Sequence, residues 1–289
     1  MADNPGILQC TPMRPAASNT APAFTMPAGA CDAHFHVFEP GYPHVANPQY
    51  TFPDGSAAQY LAMAGFLGLE RMVLVQPSFY GTDNSLLADT LKRLGPRCGG
   101  VIQVAENVTD AELDGYHEIG VRAVRLDLFA RREQPARDLS AYITRMAKRV
   151  APRGWHLQFY TPGVVVRDLL PFLADLEDTF VIDHMGYMTD PDPDFERRLL
   201  GVLAGGSCWI KLSGAYRVAK YKPLSSTVPW GRALVAARPD RMIWGSDWPH
   251  LPDGQRDTGE ILNLLAEWAP TDAARQTILA DGPARLFFS

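Results

Sequence analysis

Two histidines one residue apart, His34 and His36, stand in the apolar run CDAHFHVF. On an extended strand, residues i and i+2 share a face roughly 6.5–7 Å apart. Such a pair can chelate a metal ion or polarise a carbonyl together. A lone histidine is more often a hydrogen-bonded core residue. A third histidine, His184, closes the run TFVIDH, and Asp247 follows the run RMIWGS. A carboxylate after a buried strand is costly unless it is paired or used, so Asp247 reads as a general base or a metal ligand. Each residue alone has a structural reading; together, at three strand ends, they indicate a site.

Arginines form a second set. Arg125 lies inside RAVRLDL, where a sheet interior should be apolar, and a cation there needs an anion. Arg131 follows six residues later, and Arg217 follows the run CWIKLS. Converging at one mouth, the three would make a fork-shaped receptor for carboxylates. Ser78, Tyr50 and Tyr160 are neutral donors suited to complete that pocket. Arg132, Lys211 and His156 have weaker claims. Gln158 shares a face with His156 and Tyr160, and one face of that strand must look inward.

The elements that must position these groups alternate. Short β-branched or aromatic runs occur at 31–38, 71–76, 100–104, 122–128, 155–160, 179–184, 208–213 and 241–246, with amphipathic segments between them. One of these, TDAELDGYHEIG, opens on Thr109 with Glu112 in capping-box register and stops at Gly120. The alternation predicts βαβ units and a parallel sheet, and a spacing of roughly 30 residues per unit suits a (β/α)8 TIM barrel. No GxGxxG follows the first strand and no GxxxxGK[ST] occurs, which disfavours a doubly wound nucleotide fold. The reading is one α/β barrel over 29–289, preceded by an extended Pro/Ala/Ser-rich arm over 1–28. A barrel carries its chemistry at the C-terminal strand ends, and closure sets the eighth strand, hence Asp247, beside His34 and His36.

Composition narrows the class. The chain has 289 residues, 46% of them hydrophobic and 20% charged, with a net charge of −5, which excludes a disordered protein. The acidic balance gives no electrostatic footprint for nucleic acid. The sequence lacks a long apolar run and a secretory pattern at its start, so no membrane span or leader is expected. Four well-separated cysteines, Cys10, Cys31, Cys98 and Cys208, read as reduced thiols of a cytoplasmic protein. Nothing in the composition points to an oligomeric state.

CDAHFHVF, VIDHMG and WGSDWPH resemble the amidohydrolase superfamily, in particular the lactonases of its amidohydrolase-2 branch. VQPSFYGTDN, VRLDLFARR, GWHLQFY and KLSGAYR extend that resemblance from the first strand to the C-terminus, toward the lactonases of 2-pyrone-4,6-dicarboxylate. The resemblance implies hydrolysis of a small anionic lactone. Asp247 would activate water, with His34, His36 and His184 around the lactone carbonyl. Arg125, Arg131, Arg217, Ser78, Tyr50 and Tyr160 would bind carboxylates and ring. Many superfamily members bridge two metals with a carboxylated lysine on the fourth strand. Arg125 stands there and Tyr160 ends the fifth, so no binuclear centre is expected. The resemblance implies no required cofactor, or a single divalent ion such as Zn²⁺ on His34, His36, His184 and Asp247. The alternatives are a lactonase for a sulfomuconolactone or a sugar-acid lactone, a metal-dependent decarboxylase, and a silent barrel that only binds.

Overall fold

A computed structural model describes residues 7–190 and 192–289. Eight parallel strands follow one another around a single sheet in chain order. They are β1 (Cys31–Phe35), β2 (Arg71–Val75), β3 (Cys98–Ile102), β4 (Val121–Asp127), β5 (His156–Tyr160), β6 (Phe180–Ile182), β7 (Cys208–Leu212) and β8 (Met242–Trp244). Each expected run holds one strand, and the fold is a (β/α)8 barrel.

Helices lie between the strands: α1 (Ala57–Phe66), α2 (Ser85–Leu94), α3 (Asp110–Glu118), α4 (Ala136–Val150), α5 (Gly163–Ala174), α6 (Pro193–Ala204), α7 (Ala215–Ala219) and α8 (Val228–Ala237). After β8 come α9 (Thr258–Trp268), α10 (Asp272–Gln276) and α11 (Gly282–Phe287). Local sequence explains their limits. At α3, Thr109 Oγ1 accepts from the Glu112 N–H at 3.2 Å, and the Glu112 carboxylate accepts from the Thr109 N–H at 2.7 Å. In α4, Leu139, Ile143, Met146 and Val150 recur every three or four residues and form the buried face.

Small residues fill the barrel interior. Cys31, Ala33, Val73, Val101, Val181 and their neighbours form an apolar cluster that includes Phe287. Since Cys31 and Ala33 face inward, strict alternation would turn His34 outward. The β1–β2 register shifts between Asp32 and Phe35 instead, and His34 turns in to lie with its Nε2 3.3 Å from that of His36.

The segment after β8 completes the ring. Asp247 N donates to His34 O at 2.8 Å and His36 N donates to Trp248 O at 2.9 Å. Buried Asp32 ties the seam, accepting from Ser246 N at 2.8 Å, Ser246 Oγ at 2.6 Å, His34 N at 3.0 Å and Tyr60 OH at 3.1 Å. Gly245 permits the approach, because a Cβ there would lie 2.5 Å from that of His34. The described part of the arm lies on the same barrel. Thr11 N donates to Pro252 O at 3.0 Å, Thr20 N to Asp257, and Ala23 N to Asn263 Oδ1 at 2.7 Å. Arm residues 1–6 fall outside the described residues. Among those described, no helix is long and apolar enough to cross a membrane.

Candidate active site

A cavity opens at the C-terminal ends of the strands. His36, Tyr50, Ser78, Arg125, Tyr160, His184, Arg217 and Asp247 all line it, together with Asp127, Arg132 and the rings of Phe38, Phe79 and Phe129. Two residues expected there lie elsewhere. His34 has no exposure and sits behind the wall, its Nε2 3.3 Å from His36 Nε2. Arg131 lays its guanidinium 4.0 Å from the centre of the Tyr142 ring and pairs with Glu106 at 3.5 Å. Arg132, its neighbour in the same turn, lines the cavity instead.

Asp247 is the centre of the cluster. Its Oδ2 accepts from Tyr216 OH at 2.5 Å and from Arg217 Nε at 2.6 Å. Its Oδ1 is buried without a hydrogen-bond partner, 3.6 Å from both His34 Nε2 and His36 Nε2. Burial alone would raise this carboxyl, but Arg217 and the neighbouring histidines overcome it and hold Asp247 well below the usual carboxylate range. The backbone here is strained: Asp247 has φ 61° and His184 φ 52°, a left-handed conformation that costs energy for non-glycine residues.

His184 is fixed from behind by Ser213, whose Oγ lies 3.0 Å from Nδ1. Gly214 makes room for that ring, since a Cβ there would lie 2.6 Å from His184 Nδ1. Arg125 donates from Nη1 to Gln76 O at 2.6 Å and stacks 4.2 Å from the Tyr160 ring centre. Deeper, Lys211 donates to Gln158 Oε1 at 2.8 Å and lies 3.3 Å from Asp183 Oδ1. Gln158 Nε2 in turn donates to Asp183 Oδ2 at 3.0 Å. These pairings account for Gln158 inside β5 and Lys211 inside β7.

Residues 31–288 match the profile of the amidohydrolase family Amidohydro_2. The chain is an amidohydrolase. It is 35% identical to a 2-pyrone-4,6-dicarboxylate hydrolase of Comamonas testosteroni, covering 94% of each protein. It is 36% identical to a 4-sulfomuconolactone hydrolase of Rhizobium radiobacter, over 99% of this chain and 98% of that one. A crystal structure described as a probable 2-pyrone-4,6-dicarboxylic acid hydrolase from Acinetobacter baumannii, with citric acid bound, superposes with a TM-score of 0.74 at 25% identity. The match spans 90% of this chain and 100% of that one.

By spacing alone, this amidohydrolase has a place for one divalent ion. His34, His184 and Asp247 each offer a ligand atom within 4.8 Å of the others. Beside that place the Lys211 ammonium lies 3.2 Å from His34 Nδ1.

Five buried histidines are expected to make the stability of this amidohydrolase fall with acid. Burial holds His156 at about 3, His184 at about 4 and His250 at about 3, and lowers His34 and His36 as well. An unfolded chain protonates these rings below the ordinary value of 6.5, while the folded chain refuses the protons until lower pH. Stability therefore falls on acidification, by ~1.4 kcal/mol per pH unit for each such histidine. Asp32, raised by burial to about 6, binds a proton in the folded state and offsets one of them. Thermal unfolding at pH 5 is expected well below that at pH 7; an unchanged Tm would contradict the neutral, buried histidines.

Proposed function

We propose that this amidohydrolase opens a small carboxylated lactone, such as 2-pyrone-4,6-dicarboxylate, by attack of a water activated at Asp247. One observation carries the reading: a buried carboxylate with one oxygen pinned and the other unpartnered, in a cavity lined by three arginines. The two curated relatives, named as hydrolases of a pyrone dicarboxylate and of a sulfomuconolactone, support it.

Arg125, Arg132 and the remaining N–H groups of Arg217 receive the substrate's carboxylates. Tyr50 and Tyr160 flank the ring. His184, held at Nδ1, turns Nε2 to the scissile carbonyl and stabilises the oxyanion as it forms. The hydrogen-bond pattern gives His36 a different task from the one expected. Its Nδ1 lies 2.7 Å from Val75 O and donates to it, so Nε2 is an acceptor, and it faces His34 Nε2 at 3.3 Å, which leaves the water to Asp247 Oδ1. Asp247 takes the water's proton as the C–O bond forms, then returns it to the departing ring oxygen. A carboxylate held so acidic is a weak base. It suffices where the leaving group is an enol oxygen, as in an unsaturated lactone. The free cysteines suit a reducing, cytoplasmic setting.

A second reading, a hydroxylated sugar-acid lactone, is favoured by Asp127. This carboxylate lines the cavity and accepts from Ser78 Oγ at 2.5 Å and Ala130 N at 3.1 Å. It repels a second carboxylate and welcomes a hydroxyl, and Ser78 spends its one proton on it. A panel holding a pyrone dicarboxylate, a sugar-acid lactone and an uncharged lactone separates these readings by kcat/KM. The charged substrates are expected to exceed the uncharged one by about tenfold to a hundredfold. Asp127→Asn is expected to favour the dicarboxylate at the expense of the hydroxylated lactone. Equal rates on the uncharged lactone would overturn the anionic reading.

A further inference from the structure

Lys211, at the centre of β7, is fully buried and has no place in the mechanism above. Its ammonium lies 2.8 Å from Gln158 Oε1, 3.2 Å from His34 Nδ1 and 3.3 Å from Asp183 Oδ1. An ammonium carries three protons and no lone pair, so it only donates. Asp183 Oδ1 lies 3.5 Å from the same nitrogen, farther than the ammonium and already facing it, so the nearer donor makes His34 Nδ1 the lone-pair nitrogen and the proton of the neutral ring sits on Nε2.

The opposite side of the ring gives the same answer independently. A carbonyl oxygen only accepts, so the 2.7 Å contact with Val75 O puts the proton of His36 on Nδ1 and leaves its Nε2 bare. His34 Nε2 lies 3.3 Å from that bare nitrogen. Two lone pairs facing each other there would repel; one proton between them makes a hydrogen bond. Asp247 Oδ1, without a hydrogen-bond partner, lies 3.6 Å from the same nitrogen.

We propose that Lys211 is a positioning residue that fixes His34 as the Nε2–H tautomer and thereby keeps a divalent metal ion out of the His34–His184–Asp247 cluster. The spacing admits an ion, but ligation through His34 Nε2 requires that nitrogen to be bare. The displaced proton would have to move to Nδ1, directly against the Lys211 ammonium, and the ion would share its burial with that cation. The proposal rests on the lactonase reading for its meaning in catalysis, where it keeps a donor beside Asp247. The tautomer itself does not.

Long-range ¹H–¹⁵N NMR on the full chain with labelled histidine tests it at neutral pH. The wild type is expected to show His34 protonated at Nε2 and bare at Nδ1, unchanged when stoichiometric Zn²⁺ is added. Lys211→Met is expected to shift His34 toward Nδ1–H and to tighten Zn²⁺ binding, read by calorimetry, about tenfold or more. A wild-type His34 protonated at Nδ1, or a His34 signal that moves on binding one Zn²⁺, would overturn the proposal. So would a folded Lys211→Met with the wild-type tautomer and zinc affinity. If that variant fails to fold, the wild-type tautomer and its response to zinc still decide the matter. An absence of lactone hydrolysis would overturn the assigned reaction and leave the tautomer measurement unaffected.

Discussion

Replacing Asp247 by asparagine is expected to lower kcat by about a thousandfold or more, with KM changing only a few-fold. The asparagine oxygen can still accept from Tyr216 and Arg217, which hold Oδ2 at 2.5 and 2.6 Å, so the wall of the cavity keeps its shape. What is lost is the second oxygen, the buried one without a partner. An amide in that position takes no proton from water and returns none to the ring oxygen. The wild-type pH profile adds a further check. Because Arg217 and the histidines hold Asp247 well below the usual carboxylate range, its own titration is not expected to limit kcat/KM near pH 4 or above. Steady-state rates for both proteins, with circular dichroism to confirm folding, decide this. A variant that turns over at the wild-type rate would remove Asp247 from the chemistry.

The second large effect is expected at Arg125. Arg125→Met should raise KM for a dicarboxylate lactone by about tenfold to a hundredfold, the worth of a charged hydrogen bond in a desolvated pocket. Methionine fills the volume of the stem beside Tyr160, where the guanidinium now stacks at 4.2 Å, but cannot receive a carboxylate. The KM of an uncharged lactone should move far less, which separates lost charge from lost shape. An unchanged KM for the dicarboxylate would make Arg125 a structural cation, bonded to Gln76 O and no more.

The barrel and the centre of its site were legible in the sequence for a simple reason. Strands rich in Val, Ile and aromatic residues recur at a steady interval, and closure alone sets Asp247 beside the first strand. What stayed hidden depended on side-chain direction or on partners far away in the chain. The register shift in β1 sends His34 inward and leaves it behind His36, a distinction of depth that no spacing rule carries. Arg131 and Arg132 are adjacent, and only the turn decides which one meets the cavity. Tyr216 and Asp127 carry no mark of their own in the sequence, although both lie in segments that hold candidate residues. One looks like helix filler beside Arg217, the other like the polar end of a strand. Asp32 stands two residues before His34 and pairs with Ser246 across the seam, so its role appears only once the ring is closed.

The central claim, that this amidohydrolase hydrolyses a carboxylated lactone at Asp247 without a resident metal, is tested most directly in one vessel. The purified chain is mixed with 2-pyrone-4,6-dicarboxylate in ¹⁸O-water, with and without chelator, and the ring chromophore and products are followed. The expected result is catalytic loss of the pyrone, one ¹⁸O in the new carboxylate, no release of CO₂, and the same rate in both arms. Loss of activity with chelator, release of CO₂, or a pyrone left intact would contradict it.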